Sequence, residues 1–248
     1  MIHNSDKPKA FEEPIEETLA RWLSESTDLD KQGAYDWLCK RLNAGRVLEI
    51  GCGFGHSTAA LNRHGKVVFS LDNRMDCLEA AREKVPEATF GLADIGRVNE
   101  FLIQDLIEFA PEAMVVWIGG APADSLPKNI PPQYAVTHYR LSFQHAAVSL
   151  AGQVESIHTV HLADRTAFPW AMKDMGRKTM AQLITNSVIG NSPFRVDQSN
   201  VQFRKLSLPD TINHHAMLGG IVPVLGEATL ERVSQITTFP ISGLSRTV

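Results

Sequence analysis

The chain has 248 residues, 44% of them hydrophobic and 21% charged, a balance that suits one globular domain with decorations and argues against disorder or a fibrous repeat. Its formal net charge of −4 at pH 7 supplies no basic footprint for tight nucleic-acid binding, and no run reaches the roughly 18 apolar residues of a membrane span. Cys39, Cys52 and Cys77 are widely spaced and form no CxxC pair, so neither a disulfide framework nor a zinc site is indicated. The start MIHNSDKPKAFEEP is polar and acidic where a secretory signal is basic and then apolar, so a soluble, cytoplasmic protein is expected.

Residues 1–13 mix charge and proline with few apolar anchors and are expected to be a loose start. Behind Pro14, the helical spacing of Ile15, Leu19, Trp22 and Leu23 predicts a first helix. A second is predicted over 30–42, with Tyr35, Leu38 and Leu42 in one stripe. This N-terminal segment, 1–45, either packs on the sheet edge or lies over a ligand mouth; for Trp22 and Trp37 the pattern favours core burial. Residues 47–50 form a short apolar strand that runs into Gly51, Gly53 and Gly55, followed by a helix over 57–63 and a strand over 66–71 that ends at Asp72.

A helix over 74–85, closed by Pro86, leads to a strand over 88–92 with Asp94 and Ile95 just beyond it. A helix over 98–109 follows, and then residues 113–118, nearly all apolar, read as a central strand. That strand empties into Gly119, Gly120, Ala121 and Pro122, and the proline-rich stretch 125–136 reads as loop. A helix over 139–150, a strand over 153–162 and a helix over 172–189 come next, the last stopped by Gly190 and Pro193. Residues 194–196 and 201–208 are expected to pair as a terminal hairpin, and the extension 209–248 to carry a last helix over 227–236.

Strands alternating with helices imply an α/β domain over 46–208: a doubly wound, mostly parallel, seven-stranded sheet with helices on both faces. Ligands of such sheets bind outside the carboxyl ends of the strands, where the glycines, Asp72 and Asp94 all fall. A dinucleotide turn wants G-x-G-x-x-G, but His56 stands in the place of the third glycine. An NAD-dependent oxidoreductase is therefore the alternative reading.

With Glu49 two places before the first glycine, the run Glu49-Ile50-Gly51-Cys52-Gly53-Phe54-Gly55 resembles the first motif of the class I S-adenosylmethionine-dependent methyltransferases. The resemblance extends in element order over residues 46–160. It implies S-adenosylmethionine as cofactor, with Glu49 helping to hold its amino group, Asp72 the ribose hydroxyls and Asp94 the adenine amino group. Gly51, Cys52, Gly53, Gly55, Asn73 and Ile95 complete the implied cofactor site. Asp72 and Asp94 also suit caps of the helices that follow them, with cofactor binding the favoured reading for both, and Phe54 and Met75 read as cofactor contacts or core.

Methyl transfer from a sulfonium needs alignment and exclusion of water, and a base only where the acceptor must lose a proton. The catalytic residues are accordingly unassigned. Asp124, Tyr134, His138, Tyr139 and His161 are candidates near strand ends or the long loop, although a lone histidine such as His138 or His161 is more often a surface or core residue. After the fourth strand the chain has Ile118-Gly119-Gly120-Ala121-Pro122, which departs from the Asn/Asp-Pro-Pro-Tyr/Phe of amino-methylating DNA enzymes and lacks the Pro-Cys of cytosine carbon methylation. The adjacent His214 and His215 complete no ligand set, so no metal is expected. A small-molecule acceptor in a pocket under the N-terminal helices and the 119–137 loop is the expected partner. A protein or RNA acceptor, a second copy of the chain, and a cofactor-binding protein without catalysis stay open.

Overall fold

Alternate residues of the central strands face opposite ways, and both sets are apolar. In β1 (Arg46–Ile50), Val47 joins one core while Leu48 and Ile50 join another; in β4 (Ala113–Trp117), Ala113, Val115 and Trp117 belong to the first and Met114 and Val116 to the second. Strands buried on both faces need a layer of helices on each. The computed structural model, which describes residues 13–207 and 220–233, supplies both. One face carries α1 (Ile15–Lys31), α2 (Ala34–Cys39) and α3 (His56–Arg63); the other carries α5 (Glu100–Phe109), α6 (Pro132–Gln153) and α7 (Lys173–Ile184). Between α3 and α5, α4 (Met75–Lys84) packs Leu78 and Ala81 against Cys52.

The sheet runs β3 (Thr89–Leu92), β2 (Val67–Asp72), β1, β4, β5 (Thr159–Pro169), all parallel. The order reverses between β1 and β4, which opens a crevice at their carboxyl ends. Antiparallel to β5 lies β8 (Ile221–Arg232), and along its far edge lie β6 (Phe194–Arg195) and β7 (Val201–Lys205) end to end.

Four sequence expectations need correction. Among the described residues the sheet has eight strands where seven were expected, because residues 221–232 form β8 and not the helix predicted over 227–236. Eleven consecutive pairs with β5 override the helical look of that segment, and β8 also separates the expected hairpin: β6 and β7 each pair with it and not with one another. The strand predicted over 153–162 runs instead from Thr159 to Pro169; Val154 and Ile157 are buried in the turn before it, so their apolar character marked the core and not a ladder. Finally, α6 begins at Pro132, inside the stretch read as loop, since proline at the first helical position forfeits no hydrogen bond. The readings on residues 1–12, and on His214 and His215, lie outside the described residues.

A buried ionic cluster ties the N-terminal segment to β8. The side chain of Glu227 is 0% exposed; Arg41 Nε donates to its Oε2 at 2.6 Å, His161 Nδ1 lies 3.0 Å from its Oε1 and Thr229 Oγ1 donates to Oε1 at 2.7 Å. Burial alone would push the Glu227 carboxyl up. Hydrogen bonds from His161 and Thr229, with the charges of His161 and Arg41, nonetheless hold it below its ordinary 4.5. Its contribution to stability is thus present above that ordinary value and lost as pH falls through the lower folded-state value. Glu227→Gln, which leaves Arg41 facing a neutral group, is expected to cost about 3 kcal/mol in urea unfolding at pH 7. The gap between the two proteins should narrow as the pH is taken below about 4.5.

Candidate functional site

A cleft of about 400 Å³ opens at the carboxyl ends of β1, β2, β3 and β4. Its floor is the glycine turn, in which each glycine answers a different demand. Gly51 leaves β1 with φ of 79° while its N–H still donates to Leu71 O at 2.7 Å. Gly53, at φ 49°, donates its N–H to Asp72 Oδ2 at 2.9 Å, and a Cβ there would meet nothing within 4 Å, so bare backbone faces the cleft. Gly55 precedes α3, and a Cβ on it would lie 2.9 Å from Ala81 Cα, so it permits the close packing of α3 on α4.

Asp72 holds two loops at once, since its Oδ1 also accepts from Arg74 N at 3.0 Å. Burial pushes its carboxyl above the ordinary range against the pull of the Gly53, Arg74 and Asn73 N–H groups. Gly51, Cys52, Gly53, Asp72, Asn73, Asp94 and Ile95 all line the cleft. Asp94 is exposed and accepts from Gly96 N at 2.9 Å, capping the short turn Ile95–Arg97. Phe54 lines the cleft as well, whereas Met75 lies outside it and is half exposed.

Glu49 sits behind the turn and does not line the cleft. Its carboxylate, 2% exposed, accepts from Ser57 Oγ at 2.5 Å, Thr58 Oγ1 at 2.6 Å and Ser70 Oγ at 2.5 Å. Burial raises this carboxyl, and the three hydroxyls oppose the rise. The carboxylate braces β1 to β2 and α3.

The β4–β5 half of the cleft was largely invisible in the sequence. Beyond β4, Ile118 takes φ of 58°, a left-handed conformation that is a true outlier for a β-branched residue, fixed by its N–H donating to Ala163 O at 2.8 Å. Gly119 then passes beneath Phe143, and Gly120 passes so close beneath Trp22 that a Cβ there would fall 2.4 Å from the indole. Trp22 therefore covers the mouth, where core burial was expected, and brings Glu25 and Ser26 of α1 with it; Trp37 packs on the core. Because α6 starts at Pro132, it carries Tyr139, Arg140 and Phe143 over the cleft, the Tyr139 and Phe143 rings stacked at 6.3 Å. Arg165 donates to Glu25 at 2.7 Å and Arg140 to Asp164 at 3.2 Å. Trp117 also lines the cleft, and its buried Nε1–H has no partner among the described residues.

Of the acid–base candidates, Tyr139 lines the cleft, and burial raises its phenol, helped by the charges of Asp72, Asp94 and Asp124. Asp124 is exposed on the turn Ala123–Ser125, and His138 and Tyr134 are exposed on α6. His161, expected near a strand end, is buried inside β5 against Glu227 and faces away from the cleft. His56 does line it, with its Nδ1 3.8 Å from Asp30 and its ring held neutral-leaning by burial and by Lys84. Among the described residues no cluster of three His, Cys, Asp or Glu side chains could hold a metal ion.

No family model matches the chain. It is 29% identical over 163 residues to a trans-aconitate 2-methyltransferase of Afipia carboxidovorans, a match covering 54% of this chain and 64% of that protein. Against a trans-aconitate 2-methyltransferase of Delftia acidovorans it is 43% identical over 54 residues, 21% of this chain and 20% of that protein. The chain thus spans less than two thirds of either relative. Among solved structures, the magnesium protoporphyrin IX methyltransferase of Synechocystis with bound S-adenosylmethionine is 11% identical at a TM-score of 0.46, covering 87% of this chain and 84% of that one. A Thermoplasma acidophilum protein is 14% identical at a TM-score of 0.47, covering 88% and 90%.

The contact of Trp22 with Gly120 generates a direct test. Gly120→Ala is expected to destabilise the protein by about 1–3 kcal/mol in denaturant unfolding, through overpacking against the indole. Combining it with Trp22→Ala should return most of that loss, and purely additive effects would show that the two residues are not in contact.

Proposed function

We propose that this chain, which has the doubly wound fold of the class I methyltransferases, is an S-adenosylmethionine-dependent methyltransferase that acts on a small-molecule acceptor. The observation that carries the reading is the bare Gly53 backbone facing the cleft, held by Asp72, with Asp94 one strand further along the same edge. The donor set fits the cofactor: two carboxylates at successive strand ends suit ribose hydroxyls and an adenine amino group, and glycine backbone admits the chain between them. The unpartnered Nε1–H of Trp117 adds one more polar group in the same cleft. Both relatives are named as methyltransferases of trans-aconitate, a small molecule, and a cleft of about 400 Å³ is of the size that small ligands occupy.

Bound there, the cofactor would supply an activated methyl group on a sulfonium. The chain's own task is then to orient the acceptor and keep water out. Trp22, laid over Gly120, and Tyr139 and Phe143 of α6 roof the cleft with aromatic surface. The raised phenol of Tyr139 stays protonated near neutral pH and serves as a hydrogen-bond donor more readily than as a base.

Replacing Asp72 with alanine removes the ribose partner and frees the Gly53 turn. Calorimetric titration with S-adenosylhomocysteine is expected to show binding weaker by about 1–3 kcal/mol. An unchanged dissociation constant would reduce Asp72 to a loop brace, and NAD binding in place of the homocysteine ligand would sink the methyltransferase reading.

A further inference from the structure

The cleft does not end at Arg140 and Arg165. Arg140 also lines a second hollow, of about 480 Å³, between α6 and α7 over the outer half of β5, and Arg165 borders both spaces while its guanidinium turns to Glu25 of α1. Its walls are mostly apolar, with Leu141, Phe168, Met175, Met180, Leu183 and Phe203, and are interrupted by Asp164, Gln144 and three threonines. The Phe168 and Phe203 rings meet edge to face at 4.8 Å, and Gly176 keeps the wall of α7 low beside them, since a Cβ there would stand 3.3 Å from each ring. Met175 remains 57% exposed and Leu183 44%, a large apolar surface left beside a well-packed core.

The polar groups at the junction are only partly used. Arg140 Nη1 reaches both Asp164 oxygens, at 3.2 and 3.3 Å, but its Nε–H is buried with no partner among the described residues. Arg165 gives Nη2 to Glu25. Guanidinium forks suit a carboxylate, which they can grip with two parallel hydrogen bonds. Asp72 lies at the end of β2, three strand spacings or about 14 Å from β5, so a nucleoside held at Asp72 and a group held at Arg165 occupy opposite ends of one cleft. Asp72 and Asp94 disfavour an anion at their end; among the side chains lining the other, Arg21, Arg140 and Arg165 outnumber Glu25 and Asp164, which leaves a net positive charge.

We propose that the acceptor is an amphipathic carboxylate, with its head group at Arg140 and Arg165 and its apolar tail in the hollow between α6 and α7. The inference rests on the methyltransferase reading above and names the substrate class of that site. The chemistry balances without a base. One carboxylate oxygen–methyl bond forms while the donor's carbon–sulfur bond breaks with its electron pair left on sulfur, so a carboxylate and a sulfonium become an ester and a thioether and no proton leaves. Lining the acceptor end are arginines, a phenol held protonated and Glu25 tied to Arg21 and Arg165, a set that binds an anion more readily than it removes a proton.

The test uses the full chain saturated with S-adenosylhomocysteine and titrated calorimetrically with butanoate, octanoate and octan-1-ol. Octanoate is expected to bind at least about tenfold more tightly than butanoate, because four further methylenes leave water, and at least about tenfold more tightly than the alcohol, which offers the arginines no charge. Met175→Glu, at an exposed site where folding should survive, is expected to erase most of the advantage of octanoate over butanoate. Equal binding of octanoate and butanoate, equal binding of octanoate and the alcohol, or an undiminished advantage in the variant would each overturn the proposal. Failure of the unaltered protein to bind S-adenosylhomocysteine would instead remove the methyltransferase reading and this inference with it, so the two failures are distinct.

Discussion

Beneath the glycine turn, one buried carboxylate holds three elements together. Glu49 stands on β1 and takes hydroxyl donors from Ser57 and Thr58 on α3 and from Ser70 on β2. A carboxylate so far from water is costly unless its acceptor capacity is filled, and three donors fill most of it. The position of α3 relative to β1 is thereby fixed, and with it the path of Gly51, Gly53 and Gly55 between them. Asp72 repeats the device one strand over, gripping the Gly53 and Arg74 amides, so the turn is held from below and from the side. A site that must present backbone to a ligand needs this second tier of contacts, because bare backbone has no side chains with which to hold itself.

The roof is built differently. Over Gly119 and Gly120 the chain brings in aromatic rings, Phe143 from α6 and Trp22 from α1; a Cβ on Gly119 would crowd Phe143, and one on Gly120 would exclude the indole from its place. The missing Cβ atoms look like a weakened motif in sequence; in the fold they are the contact surface. Just before them, Ile118 is held left-handed by its bond to Ala163, and the bend aims the loop under Trp22. The N-terminal helices are in turn anchored far from the cleft, where Arg41 reaches Glu227 on β8 and Arg204 donates to the Gln32 and Gly33 carbonyls. The cover of the cleft and the last strand of the sheet therefore belong to one mechanical unit.

Arg140 and Arg165 show why one half of the cleft is harder to read in sequence than the other. The glycine-turn half uses consecutive residues of one turn and the acids at the ends of two strands, so its signal is local. The other half draws Trp22 and Glu25 from α1, Tyr139 and Arg140 from α6 and Arg165 from the outer part of β5, residues that become neighbours only when three elements converge. Misplacing the start of α6 by seven residues, from 132 to 139, left Arg140 at the edge of a helix whose course over the cleft was unseen. Each of these arginines taken alone is an ordinary charged residue.

By itself the sequence determined the layers, the first four strands and their alternation with helices, the turn, Asp72 at the end of β2 and Asp94 beyond β3, because these depend on hydrophobic period and on chain geometry within about thirty residues. Only the tertiary structure decided that residues 221–232 extend the sheet, that His161 pairs with Glu227 away from the cleft, that Glu49 braces the turn from behind, and that Trp22 roofs it. Those outcomes depend on which partner a side chain meets across long stretches of chain. Glu227 carries the point: in a local window it falls within a predicted helix, and its burial in a strand depends on His161, 66 residues away, on Arg41, 186 residues away, and on Thr229 beside it.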